Sequence, residues 1–173
     1  MLDAVAYSAV EALRNGRPIE IRAFRPDDRE ALEKAVARTS PLSLCRRFFT
    51  IKRDFTDRQR EFFLNVDFVN HVALVALTEE AGEPAIVGGG RYVVVKPGKA
   101  ELAFVVIDEY QGQGIGGALL RHLAILARAA GLHEFIADVF AENSPMLRIF
   151  ENCGLQASSM QESEYVHVTL RLV

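Results

Sequence analysis

Residues 100–131 read AELAFVVIDEYQGQGIGGALLRHLAILARAAG, and the fold turns on how this stretch is read. Ala100 to Ile107 is an apolar run of strand length. Asp108-Glu109-Tyr110 interrupts it, glycines follow at 112, 114, 116 and 117, and a strongly apolar helix runs from about Ile115 to Ala130 until Gly131 caps it. Four glycines within six residues are costly at a helix start, about 0.5 to 1 kcal/mol each relative to alanine. A turn that only lets the helix pack closely on a sheet is therefore the weaker explanation. The glycines bare a row of backbone N–H groups beside the positive end of the helix dipole, an arrangement suited to phosphate.

Two other glycine-loop readings fail on context. Gly112, Gly114 and Gly117 also satisfy G-x-G-x-x-G, and Asp138 sits near the end of the next strand, as in a dinucleotide fold. But Asp108-Glu109 separates strand from glycines, and the 35 residues after Asp138 cannot build the second half of a doubly wound sheet. A nucleotide-hydrolase loop needs Lys-Ser or Lys-Thr after the glycines, and neither is there.

Working outward, His71 to Leu77 and Ala85 to Val95 read as strands joined by a turn at 79–84, and Lys96-Pro97-Gly98-Lys99 turns into Ala100 to Ile107. Such short links imply antiparallel neighbours. Gly88-Gly89-Gly90 marks a bulge or a close backbone approach. Downstream, Phe135 to Phe140 is a strand parallel to the one before the helix if both share a sheet. Asn143-Ser144-Pro145 caps a helix to about Asn152, Gly154 ends it, and strands near Leu155–Ser159 and Glu164–Leu172 close the chain. Upstream, Ile19 to Phe24 alternates as a strand, and Pro26-Asp27-Asp28 starts a helix that Pro41 breaks. Helical stretches are expected over 44–49 and 57–64. Leu2, Val5, Ala6, Ala9, Val10 and Leu13 fall at helical spacing and Asn15-Gly16 ends them, which predicts an N-terminal helical extension over 1–18 before one domain over 19–173. The class is α/β (α+β): a mixed, mostly antiparallel central sheet flanked by helices, with one central βαβ unit.

Composition narrows the function. The chain has 173 residues, half hydrophobic and a quarter charged, the balance of a protein with a real core. A formal net charge of −3 argues against a nucleic-acid partner. Cys45 and Cys153 are too few for a disulfide framework, and no apolar run is long enough for a membrane span. The start Met1-Leu2-Asp3 lacks a signal pattern, so a cytoplasmic location is expected. His71, His122, His133 and His167 never fall at metal-ligand spacing, and no G-x-S-x-G elbow exists; no metal is expected. Arg46-Arg47 and Lys52-Arg53 among Phe48, Phe49 and Phe55 read as a solvated helix face.

Gln111-x-x-Gly114-x-Gly116, between a strand and an apolar helix, resembles the acyl-CoA loop of the GNAT superfamily of N-acyltransferases. Ala100-Glu101-Leu102-Ala103-Phe104 resembles the family's fourth strand, and Asn143, Met146, Gly154 and Leu155 fall at the spacing of its second motif. Ile21-Arg22-Ala23-Phe24-Arg25-Pro26-x-Asp28, Ser43, Arg47-Phe48-Phe49 and His71 to Val75 are similar to the acetyltransferase domain of Pat-type bacterial protein lysine acetyltransferases. The resemblance implies acetyl-CoA as cosubstrate and an amine acceptor: a protein lysine, such as one on an acyl-CoA synthetase, or a small amine. It also implies that the family's fourth and fifth strands splay at a bulge to admit pantetheine. The cofactor-binding residues would then be Val105, Val106 and Ile107 through their backbones, Gln111, Gly112, Gln113, Gly114, Ile115, Gly116 and Gly117 of the loop, and Asn143. A plain helix N-cap is an equal reading of Asn143.

A lysine amine near pKa 10.4 lies about 3.4 units above neutrality, or about 4.6 kcal/mol, whereas a thiol leaving group near 8.5 is short by only about 2 kcal/mol. A base therefore matters more than an acid. By resemblance Glu101 is that base, acting through water; a lone strand-end glutamate is otherwise a solvated one. The family's tyrosine, seven residues after the motif Asn, is here Phe150, so the expected proton donor is missing and no acid is assigned. That absence keeps open a non-catalytic acyl-CoA-sensing module.

Overall fold

The computed structural model describes residues 2–40 and 65–172. The helices expected over 44–49 and 57–64, the break at Pro41 and the basic cluster at 46–53 lie outside them. Eight strands form one sheet in the order β1-β2-β3-β4-β5-β6-β8-β7. They are β1 (Ser8–Ala12), β2 (Pro18–Ala23), β3 (His71–Glu80), β4 (Glu83–Lys96), β5 (Lys99–Val106), β6 (Glu134–Phe140), β7 (Gln156–Glu162) and β8 (Tyr165–Arg171). Every neighbouring pair is antiparallel except β5 and β6. Those two are joined through α2 (Ile115–Ala129), the crossover that a parallel connection requires. The other described helices are α1 (Arg29–Ala37) and α3 (Ser144–Glu151).

The amphipathic pattern of α2 makes it the keystone of the core. Leu119, Leu120 and Leu123 are completely buried, and the helix packs on β3, β4 and β5. Each such leucine contributes about 1.5 to 3 kcal/mol by leaving water. The glycine triplet pairs regularly with β3, with the bulge just before it and a close approach at Gly90. The β3–β4 register slips beside Val87, between the Ala76–Gly88 and Leu77–Ile86 pairs. A Cβ on Gly90 would meet the Phe104 ring at 2.6 Å and a Leu123 methyl at 3.2 Å, so the glycine admits both side chains beneath β4.

The helix predicted over residues 2–14 is corrected. Ser8–Ala12 form an edge strand, with Ala9 opposite Ile21 and Glu11 opposite Ile19. An isolated helix of that length is marginal in water, whereas a hairpin gains ladder bonds from β2 at once. Asn15-Gly16, which can stop a helix, here sits in the hairpin turn, where Gly16 N donates to Leu13 O at 2.8 Å and Leu13 N to Arg17 O at 2.8 Å.

The end of α1 is tied to the segment that leads into the glycine loop. Arg38 grips Glu80 with two guanidinium nitrogens at 2.6 and 3.0 Å, and Tyr110 donates its hydroxyl to Glu80 at 2.6 Å. These bonds, from Arg38 first and Tyr110 second, pull the Glu80 carboxyl down to about 2 from its ordinary 4.5. A depressed folded-state value stabilises the fold above pH 4.5 and ceases to do so as pH falls toward about 2. Glu80→Gln is therefore expected to lower the melting temperature at neutral pH and to flatten its decline across that acid window, read by thermal melts at a series of pH values. Gly90→Ala, which drives a methyl into Phe104, is expected to cost about 1 to 3 kcal/mol in urea unfolding.

Candidate active site

The parallel β5–β6 pair is brief. Lys99, Ala100 and Glu101 pair with Glu134, Phe135 and Ile136, and there the ladder stops. Beyond Glu101, β5 stays in regular register with β4 as far as Val106–Gly88, while β6 stays with β8 as far as Phe140–Tyr165. Each strand follows its outer neighbour, and a gap opens between them in the middle of the sheet. No register slip occurs in β5 along this gap. The strands diverge without the expected bulge, and the slips lie instead beside Val87 and Val95.

A cavity of about 610 Å³ fills the gap and runs to the glycine loop. Glu101, Val105, Val106, Gln111, Gly112, Gln113, Gly114, Ile115, Gly116, Gly117 and Asn143 all line it. Ile107 does not: it is buried, its N–H donates to Val87 O at 3.0 Å and its carbonyl accepts from Tyr110 N at 3.0 Å. Backbone groups alternate sides along a strand, so this bond decides where the others point. Val105 turns its amide and carbonyl to β4 and offers the gap no backbone group, whereas Leu102, Phe104 and Val106 face the opening. Of the three residues expected to contact the arm through their backbones, only Val106 turns a group toward the gap, beside Phe104. The carbonyl of Val106 accepts from Gln111 Nε2 at 3.0 Å, which fastens the strand end to the loop.

The glycines set the shape of the loop. Gly112 and Gly114 lie at φ +79° and +99°, conformations that side chains rarely adopt, and Gly114 is the N-cap of α2. The first α2 amide to find a carbonyl is that of Ala118, on Gly114 O at 3.1 Å. Among the described residues the amides from Gly112 to Gly117 have no partner, so the positive end of α2 opens to the cavity. Gly116 has a different reason: a Cβ there would stand 2.7 Å from Ile149 of α3, so the glycine lets the two helices approach.

Glu101 is exposed, and it stands where the β5–β6 pairing ends, at the fork of the gap. Phe150 is buried and tilts against Phe104, its ring centroid 6.3 Å away, so the position of the family tyrosine is a hydrophobic wall. Tyr110 also lines the cavity, but its hydroxyl is committed to Glu80, and burial followed by that bond raises its pKa. Cys153 turns its thiol to the Phe150 carbonyl at 3.0 Å. None of the three is set to donate a proton. Asn143 caps α3, its carbonyl oxygen accepting from Met146 N at 3.4 Å, and it also lines the cavity. The cap leaves the side-chain NH₂ as a donor.

The N-terminal hairpin supplies residues that sequence reasoning missed, because a helical reading separated them from the site. Glu11, Leu13 and Arg14 line the cavity. Glu11 bonds Arg121 at 2.7 Å and His122 Nε2 at 2.8 Å, and His122 Nδ1 meets the Tyr7 hydroxyl, which fixes β1 to α2. Burial pushes the Glu11 carboxyl up, but Arg121 and His122 outweigh it and leave the pKa lowered. Among the described residues no cluster of His, Cys, Asp or Glu is arranged to hold a metal, and no helix is long and apolar enough to cross a membrane.

A gap between two diverging parallel strands, beside a glycine-capped helix N-terminus, is the arrangement of an acyl-CoA-dependent N-acetyltransferase. The signature of the acetyltransferase (GNAT) family matches residues 38–155, and the chain belongs to that family. It is 33% identical over 138 residues to an acetyltransferase of Pseudomonas aeruginosa, covering 79% of this chain and 74% of that one. It is 32% identical over 146 residues to the acetyltransferase Pat of Mycolicibacterium smegmatis, covering 82% of this chain but only 42% of that longer protein. The crystal structure of the GNAT domain of Streptomyces lividans PAT superimposes with a TM-score of 0.85 at 29% identity, over 95% of this chain and 96% of that one.

Gly114→Val would force a β-branched side chain into φ +99°. It is expected to weaken coenzyme A binding at least tenfold in calorimetry and, through backbone strain of about 1 to 3 kcal/mol, to lower the melting temperature by several degrees; undiminished affinity in the folded variant would remove the loop from the binding site.

Proposed function

We propose that the chain transfers an acetyl group from acetyl-CoA directly to a primary amine, without a covalent enzyme intermediate, and that the acceptor is a protein lysine. The observation that carries this reading is the placement of Glu101 at the fork of the strand gap, in the same cavity as the unpartnered loop amides. The loop amides hold the pyrophosphate, and the pantetheine arm runs between β5 and β6. The open N–H of Val106 polarises the thioester carbonyl, and the amide of Asn143 steadies the arm. Glu101 removes a proton from the acceptor ammonium through a water molecule, and the free amine attacks the thioester carbon. The tetrahedral intermediate gives up the second nitrogen proton to solvent and collapses, the C–S bond breaks, and the thiolate leaves. With Phe150 buried and the Tyr110 hydroxyl bonded to Glu80, none of the described side chains at the cavity is assigned to protonate the sulfur, and solvent does so. The smaller cost of releasing a thiolate allows this.

The protein-lysine acceptor, as on an acyl-CoA synthetase, rests on the similarity to Pat-type domains along the chain. A small amine is the competing acceptor, and acyl-CoA sensing without turnover is the competing role. Glu101→Gln separates catalysis from sensing. It is expected to lower acetyl transfer to a lysine peptide at least 100-fold while calorimetric affinity for acetyl-CoA stays within about twofold. Mass spectrometry of unmodified protein incubated with acetyl-CoA, lysine peptides and small amines identifies the acceptor. Binding of acetyl-CoA with no acetylated product from any of them would replace the enzyme by a sensor.

A further inference from the structure

The hairpin turn between β1 and β2 rests on the glycine loop. Arg14 N donates to Gln113 O at 3.4 Å, Arg14 Nη1 reaches Gly112 O at 3.4 Å, and Asn15 Nδ2 reaches Gln113 Oε1 at 3.5 Å. A Cβ built on Gly114 would lie 3.9 Å from Arg14 Nε, so the guanidinium stands beside the amides that open α2. The neighbouring cations are engaged elsewhere. Arg17 donates to Glu79 O at 2.6 Å and to the Tyr110 hydroxyl at 3.2 Å, and Arg121 is held by Glu11 at 2.7 Å. Among the described residues the Arg14 guanidinium meets no carboxylate, only the weak contact to the Gly112 carbonyl. A chain of net charge −3 has no general attraction for a polyanion, so a cation fixed at this rim has a large effect there.

We infer that Arg14 is a phosphate-binding residue for the acyl-CoA cosubstrate, carried to the loop by the N-terminal hairpin. The inference rests on the proposed use of the loop for coenzyme A. Main-chain amides offer single donors, whereas a guanidinium adds a full charge and a two-pronged grip on phosphate oxygens. Tyr7, Glu11 and His122, by locking β1 to α2, hold the arginine in place.

The test is the affinity of unmodified, Arg14→Ala and Arg14→Lys protein for three thioesters: acetyl-CoA, acetyl-3′-dephospho-CoA and acetyl-pantetheine. Arg14→Ala is expected to weaken acetyl-CoA about tenfold, with Arg14→Lys between the two and acetyl-pantetheine unaffected. The ionic-strength dependence of acetyl-CoA binding should also become shallower in Arg14→Ala. A penalty that vanishes with the dephospho compound assigns Arg14 to the ribose phosphate; one that persists assigns it to the pyrophosphate. Equal acetyl-CoA affinity in all three proteins overturns the inference and leaves the loop assignment standing. So does a penalty as large with acetyl-pantetheine, which marks a merely structural role. Unmodified protein that fails to bind acetyl-CoA overturns both.

Discussion

The fold hangs on the failure of β5 and β6 to stay together. Three residue pairs join them, and then the requirements of two antiparallel ladders, β4–β5 and β6–β8, pull the strands apart. Buried backbone groups left without partners are costly in a sheet interior, so the gap persists only because its flanks are rigid and the cavity admits water or a ligand. One flank is braced by Gly90, which lets Phe104 and Leu123 fill the space under β4. The other is braced by the long β8 ladder.

The glycine loop depends on this divergence. The Val106 carbonyl, released from any strand partner on the gap side, accepts from Gln111, and that bond sets the start of the loop relative to the end of β5. The Arg38–Glu80–Tyr110 network holds the same segment from the opposite side. Gap and glycine loop are thus tied to each other through the segment that joins them. The N-terminal hairpin closes a further wall through the Glu11 bonds to α2.

Much of this was legible in the sequence because local rules and packing agree. Apolar runs of strand length bounded by Pro-Gly or charged turns became β3, β4 and β5, the apolar run from Ile115 became α2, and Asn143-Ser144-Pro145 became the start of α3. The loop glycines, Glu101 and Asn143 do share one cavity. The failures have physical causes. Ala and Val at positions 5, 6, 9 and 10 suit a helix face, but an edge strand tolerates them equally: Val10 stays 73% exposed, so no burial signal distinguished the two. Asn15-Gly16 ends a helix or turns a hairpin by the same left-handed geometry. Calling the segment helical hid Arg14 and Glu11, whose partners lie about a hundred residues away in the chain. For Val105 and Ile107, spacing located the strand but not its parity. Which amides face the gap depends on the Ile107–Val87 bond, a tertiary fact.

The gap also acts as a sieve. To lie between two strands, an inserted chain needs roughly 4.8 Å to each neighbour and must carry little bulk above or below the sheet plane. On one side that bulk would meet Phe104 and Phe150 packed together. A slim linear arm with its own amides can use the backbone of Phe104 and the N–H of Val106 on the gap side of β5. A slot in the middle of a sheet is thereby kept from the strand-to-strand association that an equally bare outer edge would invite.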